Sequence, residues 1–208
     1  VFLTSACIVF NNCSFKYTDG SVLEISGGNN TITNNYFSYI DKTVCNLSSV
    51  MTTLRLSGSN NLIKNNAIHK TAASSTLNSG NEAIIEYNDL YESGYLQSDG
   101  AMIHSMVNQQ PNVKIRYNWV HDTIKYGIRF DGNGEGYHGY IHHNIGWNCE
   151  GGIMVKGGEL DADGNSVGGH FVYNNTFFNS VEKNDIMVLN TQVGFNINYG
   201  SVVLNLSL

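Results

Sequence analysis

IRYNWV, residues 115–120, sets Asn118 within an apolar frame formed by Ile115 and Val120. The frame is apolar-x-x-Asn-x-apolar, and it recurs along the chain. Copies read ITNNYF (32–37), IKNNAI (63–68), IEYNDL (85–90), IHHNIG (141–146, the last position relaxed) and VYNNTF (172–177). FNNCSF (10–15) is a degenerate first copy with Cys13 in the Asn slot, and FNIN (195–198) is a fainter last one. Successive slots lie 22, 31, 22, 30, 26, 31 and 23 residues apart, which reads as a basic coil and a coil with a loop. Such a period marks a solenoid.

Short alternating segments precede most copies: Leu23-Glu-Ile25, Leu54-Arg-Leu56, Ile128-Arg-Phe130, Ile153-Met-Val155 and Ile186-Met-Val188. Period-two alternation is the pattern of a strand with one buried face. The expected structure is all-β, a coil of about eight turns whose strands pair in parallel with the turns above and below. The Asn of each turn points inward and bonds to its neighbours, satisfying buried amides at the bend.

Composition agrees. Of 208 residues, 22 are Gly, one is Pro and only 13% are charged, so long charged helices are not expected. The net charge of −6 argues against a dominant nucleic-acid role. No apolar run is long enough to span a bilayer. The chain starts at Val1 inside a β-like pattern, and residues 1–208 are expected to form one domain, a mature or truncated part of a longer chain. Cys7, Cys13, Cys45 and Cys149 lack metal-ligand spacing; they read as buried small apolar residues, among which one disulfide between Cys7 and Cys13 is left open. Glycosylation sequons at Asn12, Asn29, Asn46, Asn174 and Asn205 are compatible with secretion.

The repeats ITNNYF, IKNNAI, IEYNDL, IRYNWV and IHHNIG resemble those of right-handed parallel β-helices of the pectate-lyase-like superfamily. The resemblance spans nearly the whole chain and implies fold. Its members include polysaccharide lyases, glycoside hydrolases, epimerases and non-catalytic adhesins and fibres. It implies acidic glycans as a substrate class. The expected location is extracellular, secreted or at the cell surface.

Aligning strands by their inward residues gives two outward columns. One runs Glu24, Arg55, Met102, Arg129, Met154, Met187, and the next runs Ser26, Ser57, His104, Asp131, Lys156, Leu189. His104, Asp131 and Lys156 are then expected on three successive coils, with Arg129 beside Asp131. A polar face needs only Ser or Thr, so this cluster is the catalytic candidate. Arg129 and Lys156 would neutralise a uronate carboxylate or take a proton, His104 would act as base or acid, and Asp131 would tune it. A hydrolase would need a second carboxylate, for which Asp99, Asp122 and Glu150 are available. Lyase chemistry is therefore favoured over hydrolysis. The rival reading of the same cluster is an exposed salt-bridged ladder.

His121, Asp122, Tyr126, Tyr137 and His142 are candidate substrate contacts. Sequence neighbours His121 and Asp122 are expected on opposite faces if both lie in a strand. Aromatics such as Tyr126, Tyr137 and Trp147 either stack on sugars or on one another. Two loops have alternating oxygens for calcium: Asp131, Asn133 and Glu135, then Asp161, Asp163 and Asn165. Both also read as plain Gly-Asp turns. The rival to an enzyme is a non-catalytic stalk, filament or adhesin subunit whose coils associate end to end through open strand edges.

Overall fold

The computed structural model describes residues 1–43, 51–97, 99–105, 111–130, 139–156, 163, 170–182, 186–189, 196–197 and 202–204. Among them every regular element is a strand. Strands recur in the order first, second, third sheet, and each sheet collects eight of them. The first sheet holds Phe2–Leu3, Leu23–Ile25, Thr52–Leu56, Ser75–Ser79, Ala101–Ser105, Tyr126–Phe130, Gly151–Lys156 and Ile186–Leu189. The second runs from Val9–Asn11 to Asn196–Ile197, and the third from Ser14–Thr18 to Val202–Leu204. Neighbouring coils pair in parallel throughout, as in Ile85↔Ile115↔Ile141. This is a parallel β-helix.

Inward columns on all three sheets build the core, and the first sheet adds a second one that includes Ile25, Leu56, Phe130 and Val155. Leu23, Leu54, Leu77, Ile103, Ile128 and Ile153 stack on the first sheet; Ile32, Ile63, Ile85, Ile115, Ile141 and Val172 stack on the second. Phe37, Ile68, Leu90, Val120 and Phe177 do so on the third. Burying each such side chain stabilises the fold by roughly 1.5–3 kcal/mol.

The bend between the second and third sheets explains the Asn frame. Asn118 Oδ1 accepts from the main-chain N–H and the side-chain amide of Asn88, both at 3.0 Å. Asn118 itself donates to Asn144 Oδ1 at 3.0 Å and to the Ile85 carbonyl at 2.9 Å. The same bonding joins Asn35, Asn66, Asn88, Asn118, Asn144 and Asn175 in one ladder. The residue before each ladder Asn is left-handed, with φ between 52 and 57° at Asn34, Asn65, Tyr87, Tyr117, His143 and Asn174. Asn tolerates that conformation better than most residues. Where Tyr87, Tyr117 and His143 stand instead, their rings contact one another at centroid distances of 5.1 Å.

A second, shorter ladder sits at the bend between the first and second sheets. Asn30 donates to Asn61 Oδ1 at 2.9 Å, and Asn30 Oδ1 accepts from the Ile8 N–H at 2.9 Å. Cys7 and Cys13 are free. They lie beyond opposite ends of the strand Val9–Asn11, whose three extended residues alone span on the order of 10 Å, beyond disulfide reach. No helix among the described residues is long and apolar enough to cross a membrane.

Candidate functional site

The first sheet's outward column reads Glu24, Arg55, Asn78, His104, Arg129, Met154 and Met187 on consecutive coils. This corrects the register expected from sequence. His104 lies opposite Arg129, not in the column with Lys156, and Lys156 pairs with Leu189. Met102 leaves the outward column for the core, where it is fully buried. The skipped rung is Ser75–Ser79, whose Asn78 pairs with Arg55. Asp131, Asn133, Glu135, Tyr137, Asp161 and Asn165 lie outside the described residues, as does the Lys156 side chain. Asp163 is exposed in a turn. Among the described residues no group of three His, Cys, Asp or Glu is placed to hold a metal.

Around that column the polar contacts are specific. His104 is 3% exposed, and its Nδ1 is 2.7 Å from Ser75 Oγ. Asn78 Nδ2 donates to the His104 carbonyl at 2.5 Å. Arg129 Nη1 donates to Asp99 Oδ1 at 2.7 Å, and the Gly100 N–H reaches the same oxygen at 2.8 Å. The Arg129 hydrogen bond holds the Asp99 carboxyl below its ordinary pKa. Arg55 pairs with Glu24 at 3.5 Å two coils before His104.

Lys125 sits beside this face, in the connection from the third-sheet strand Trp119–His121 to the first-sheet strand Tyr126–Phe130. It is fully buried, and its Nζ donates to the carbonyls of Ala73 and Ser74. Ser74 in turn donates from Oγ to the Asp99 carbonyl at 2.7 Å and from its main-chain N–H to Gln97 Oε1 at 3.0 Å. The chain bearing Asp99 is thus tied to the turn that Lys125 holds. Burial pushes the Lys125 pKa down to about 7, with Asp99 pulling the other way. Nothing in the sequence singles out Lys125 or Ser75, and Asp99 figures there only as an available second carboxylate for a hydrolase.

The other expected contacts divide. Tyr126 is 4% exposed and packs with Ala101 and Met154, so it offers no sugar platform. His121 and Asp122 do meet, contrary to strand alternation. Asp122 is left-handed (φ 52°), which turns its carboxylate back onto His121 Nδ1 at 2.7 Å. His121 Nε2 contacts Asp89 Oδ1 at 3.0 Å, and the ring is stacked against Trp147 at 4.0 Å and Tyr91 at 5.1 Å. Burial opposes charge on His121, but the two carboxylates outweigh it and raise its pKa above 6.5. His142 goes the other way: burial, His143, Arg116 and Lys114 push it down to about 4. It stacks on Tyr173 at 4.8 Å, with Nδ1 2.8 Å from His143 Nδ1. Trp147 likewise serves its own ring ladder.

The sequence model of the right-handed β-helix region matches residues 1–167. The chain belongs to that family. No curated protein and no solved structure matches it. Membership in the right-handed β-helix family accounts for the coil and its ladders. The chemistry has to be argued from the side chains, because one fold hosts many activities.

Proposed function

We propose that this β-helix is a secreted carbohydrate-active enzyme that cleaves an acidic polysaccharide by β-elimination on the outer face of its first sheet. The observation that supports this most is the column Arg55, Asn78, His104, Arg129 on four consecutive coils, with Asp99 on the last arginine. Rungs repeat every ~4.8 Å, a spacing suited to an extended sugar chain lying along the column.

In this reading a substrate carboxylate takes the place of Asp99 on Arg129, since one planar guanidinium serves either carboxylate. Arg129 then neutralises the uronate and the enolate charge that develops as the C5 proton leaves. His104 accepts that proton, with Ser75 fixing its ring. The proton ends on the imidazole and the electron pair forms the new double bond as the glycosidic oxygen departs. Arg55 binds a carboxylate further along the chain. Lys156 belongs to the reading as a second cation, and calcium belongs to it through the loops around Asp131 and Asp163.

The test is a screen of acidic polysaccharides for unsaturated-product absorbance and for reducing ends, with and without calcium. Absorbance that rises with wild type and is lost in Arg129→Ala supports the reading. Reducing ends without absorbance point to hydrolysis. No turnover on any polymer, with end-to-end assembly of the purified chain, replaces the enzyme with a structural subunit.

A further inference from the structure

We propose that the notch formed by Tyr87, Asp89, Tyr117 and Trp119 binds a neutral pyranose ring of a polysaccharide. It lies at the bend between the second and third sheets, the corner not shared with the first sheet. It is therefore separate from the column discussed above and does not rest on that reading.

The notch follows from a step in side-chain size. The third sheet's outward column there runs Ala67, Asp89, Trp119, Ile145 on consecutive coils. Two small residues precede the indole, so one of its faces has nothing of matching size beside it. Trp119 is 52% exposed. It meets Trp147 edge-on, at 6.4 Å and 65°, and no ring among the described residues stacks on its face. Neighbouring rings are different: Tyr87 and Tyr117 stack on each other at 8°, and His121 is sandwiched in its own ladder. Stacked rings present only edges and hydroxyls outward. The indole of Trp119 is the platform.

The space beside it is a cavity of about 300 Å³ lined by Tyr87, Asn88, Asp89, Tyr117 and Trp119. That is at the small end of ligand pockets, the scale of one sugar ring. Asp89 supplies the polar contact. Its Oδ1 is held by His121 at 3.0 Å, while Oδ2 has no hydrogen-bond partner among the described residues. A fixed carboxylate oxygen beside an aromatic face accepts sugar hydroxyls while the ring's C–H face lies on the indole. Charge selects neutral sugars, because Asp89 and Asp122 repel a uronate. The nearest cation over Tyr87, Lys64, is occupied by Glu86 at 2.9 Å.

The test titrates the protein with neutral hexasaccharides (gluco-, xylo- and manno-series) by calorimetry and tryptophan fluorescence; the chain has only two Trp. One ring on one platform predicts a dissociation constant on the order of 1 mM. Trp119→Ala should weaken binding at least about tenfold, Trp119→Phe less, and Asp89→Asn several-fold. Arg129→Ala should bind as wild type does, which separates this site from the first-sheet face. Circular dichroism melts establish that each variant is folded. The proposal is overturned by any of three results: no neutral hexasaccharide binds by about 10 mM; a folded Trp119→Ala keeps full affinity; or a hexuronate or a trimethylammonium compound binds tighter than every neutral sugar.

Discussion

Arg129 stands directly across the parallel ladder from His104, one coil on, and its guanidinium is closed by Asp99 at 2.7 Å. An exposed carboxylate on a largely covered guanidinium is a gate as much as a bond: the Arg129 side chain is 11% exposed and that of Asp99 71%. Arg129→Ala should lower turnover of an acidic polysaccharide on the order of 100-fold, as loss of a preorganised stabiliser does. Arg129→Lys should recover only a small part, because an ammonium cannot reproduce the planar fork. Asp99→Asn should leave turnover within several-fold of wild type and lower KM, since the competing carboxylate is gone. Steady-state kinetics on the three variants, with melts as control, decide it. Full activity of Arg129→Ala would remove Arg129 from the site.

Asn118→Leu tests the ladder. The change removes the acceptor for two Asn88 donors and the donor for Asn144 and Ile85, all buried. Unpaired buried groups make this cost at least about 1–3 kcal/mol in a denaturant or thermal melt. An unchanged midpoint would mean that the ladder contributes nothing to stability.

Two histidines should give opposite pH signatures. His121 has a folded pKa raised above 6.5, so its contribution is complete below that value and is lost as pH rises through the folded pKa. His142 has a folded pKa lowered to about 4, so its contribution is present above 6.5 and is lost as pH falls towards 4. His121→Gln should therefore flatten the melting midpoint's decline on the alkaline side of 6.5. His142→Asn should flatten the decline on the acid side. Melts from pH 4 to 9 read both, and identical profiles for wild type and variants would contradict the assigned pairings.

The bend and its ladder are legible in sequence because each copy is local: a left-handed residue, an inward Asn and apolar flanks within six positions, as in Ile85–Leu90. The first sheet's register is not. Ser75–Ser79 is buried on both faces, and its polar side chains are satisfied by hydrogen bonds, as with Ser75 to His104 and Thr76 to Thr71. It therefore lacks the period-two signal, and skipping it shifts Met102 into the place of His104. The Asn30–Asn61 ladder is too short to show as a repeat. Contacts such as Lys125 to Ala73 bridge 52 residues, a distance over which no local pattern informs.

Lys125 and Gly94 provide the last prediction. Gly94 has φ +82°, and a Cβ there would run into Lys125 Cε. Gly94→Ala should cost at least about 1 kcal/mol from the left-handed backbone alone, and more from the clash. Lys125→Ala relieves the clash but leaves the Ala73 and Ser74 carbonyls without its ammonium. In a double-mutant cycle the two changes should cost less together than the sum of each. The pH dependence is separate. With a folded pKa depressed to about 7 from 10.5, Lys125 contributes stability that is present above 10.5 and lost as pH falls through 7. Between pH 7 and 9 the wild-type protein should gain stability relative to Lys125→Met, a variant of similar length that cannot titrate. Strict additivity in the cycle would show that Gly94 is not there to make room for the lysine, and parallel stability curves for wild type and Lys125→Met would show that the ammonium is not held against its burial.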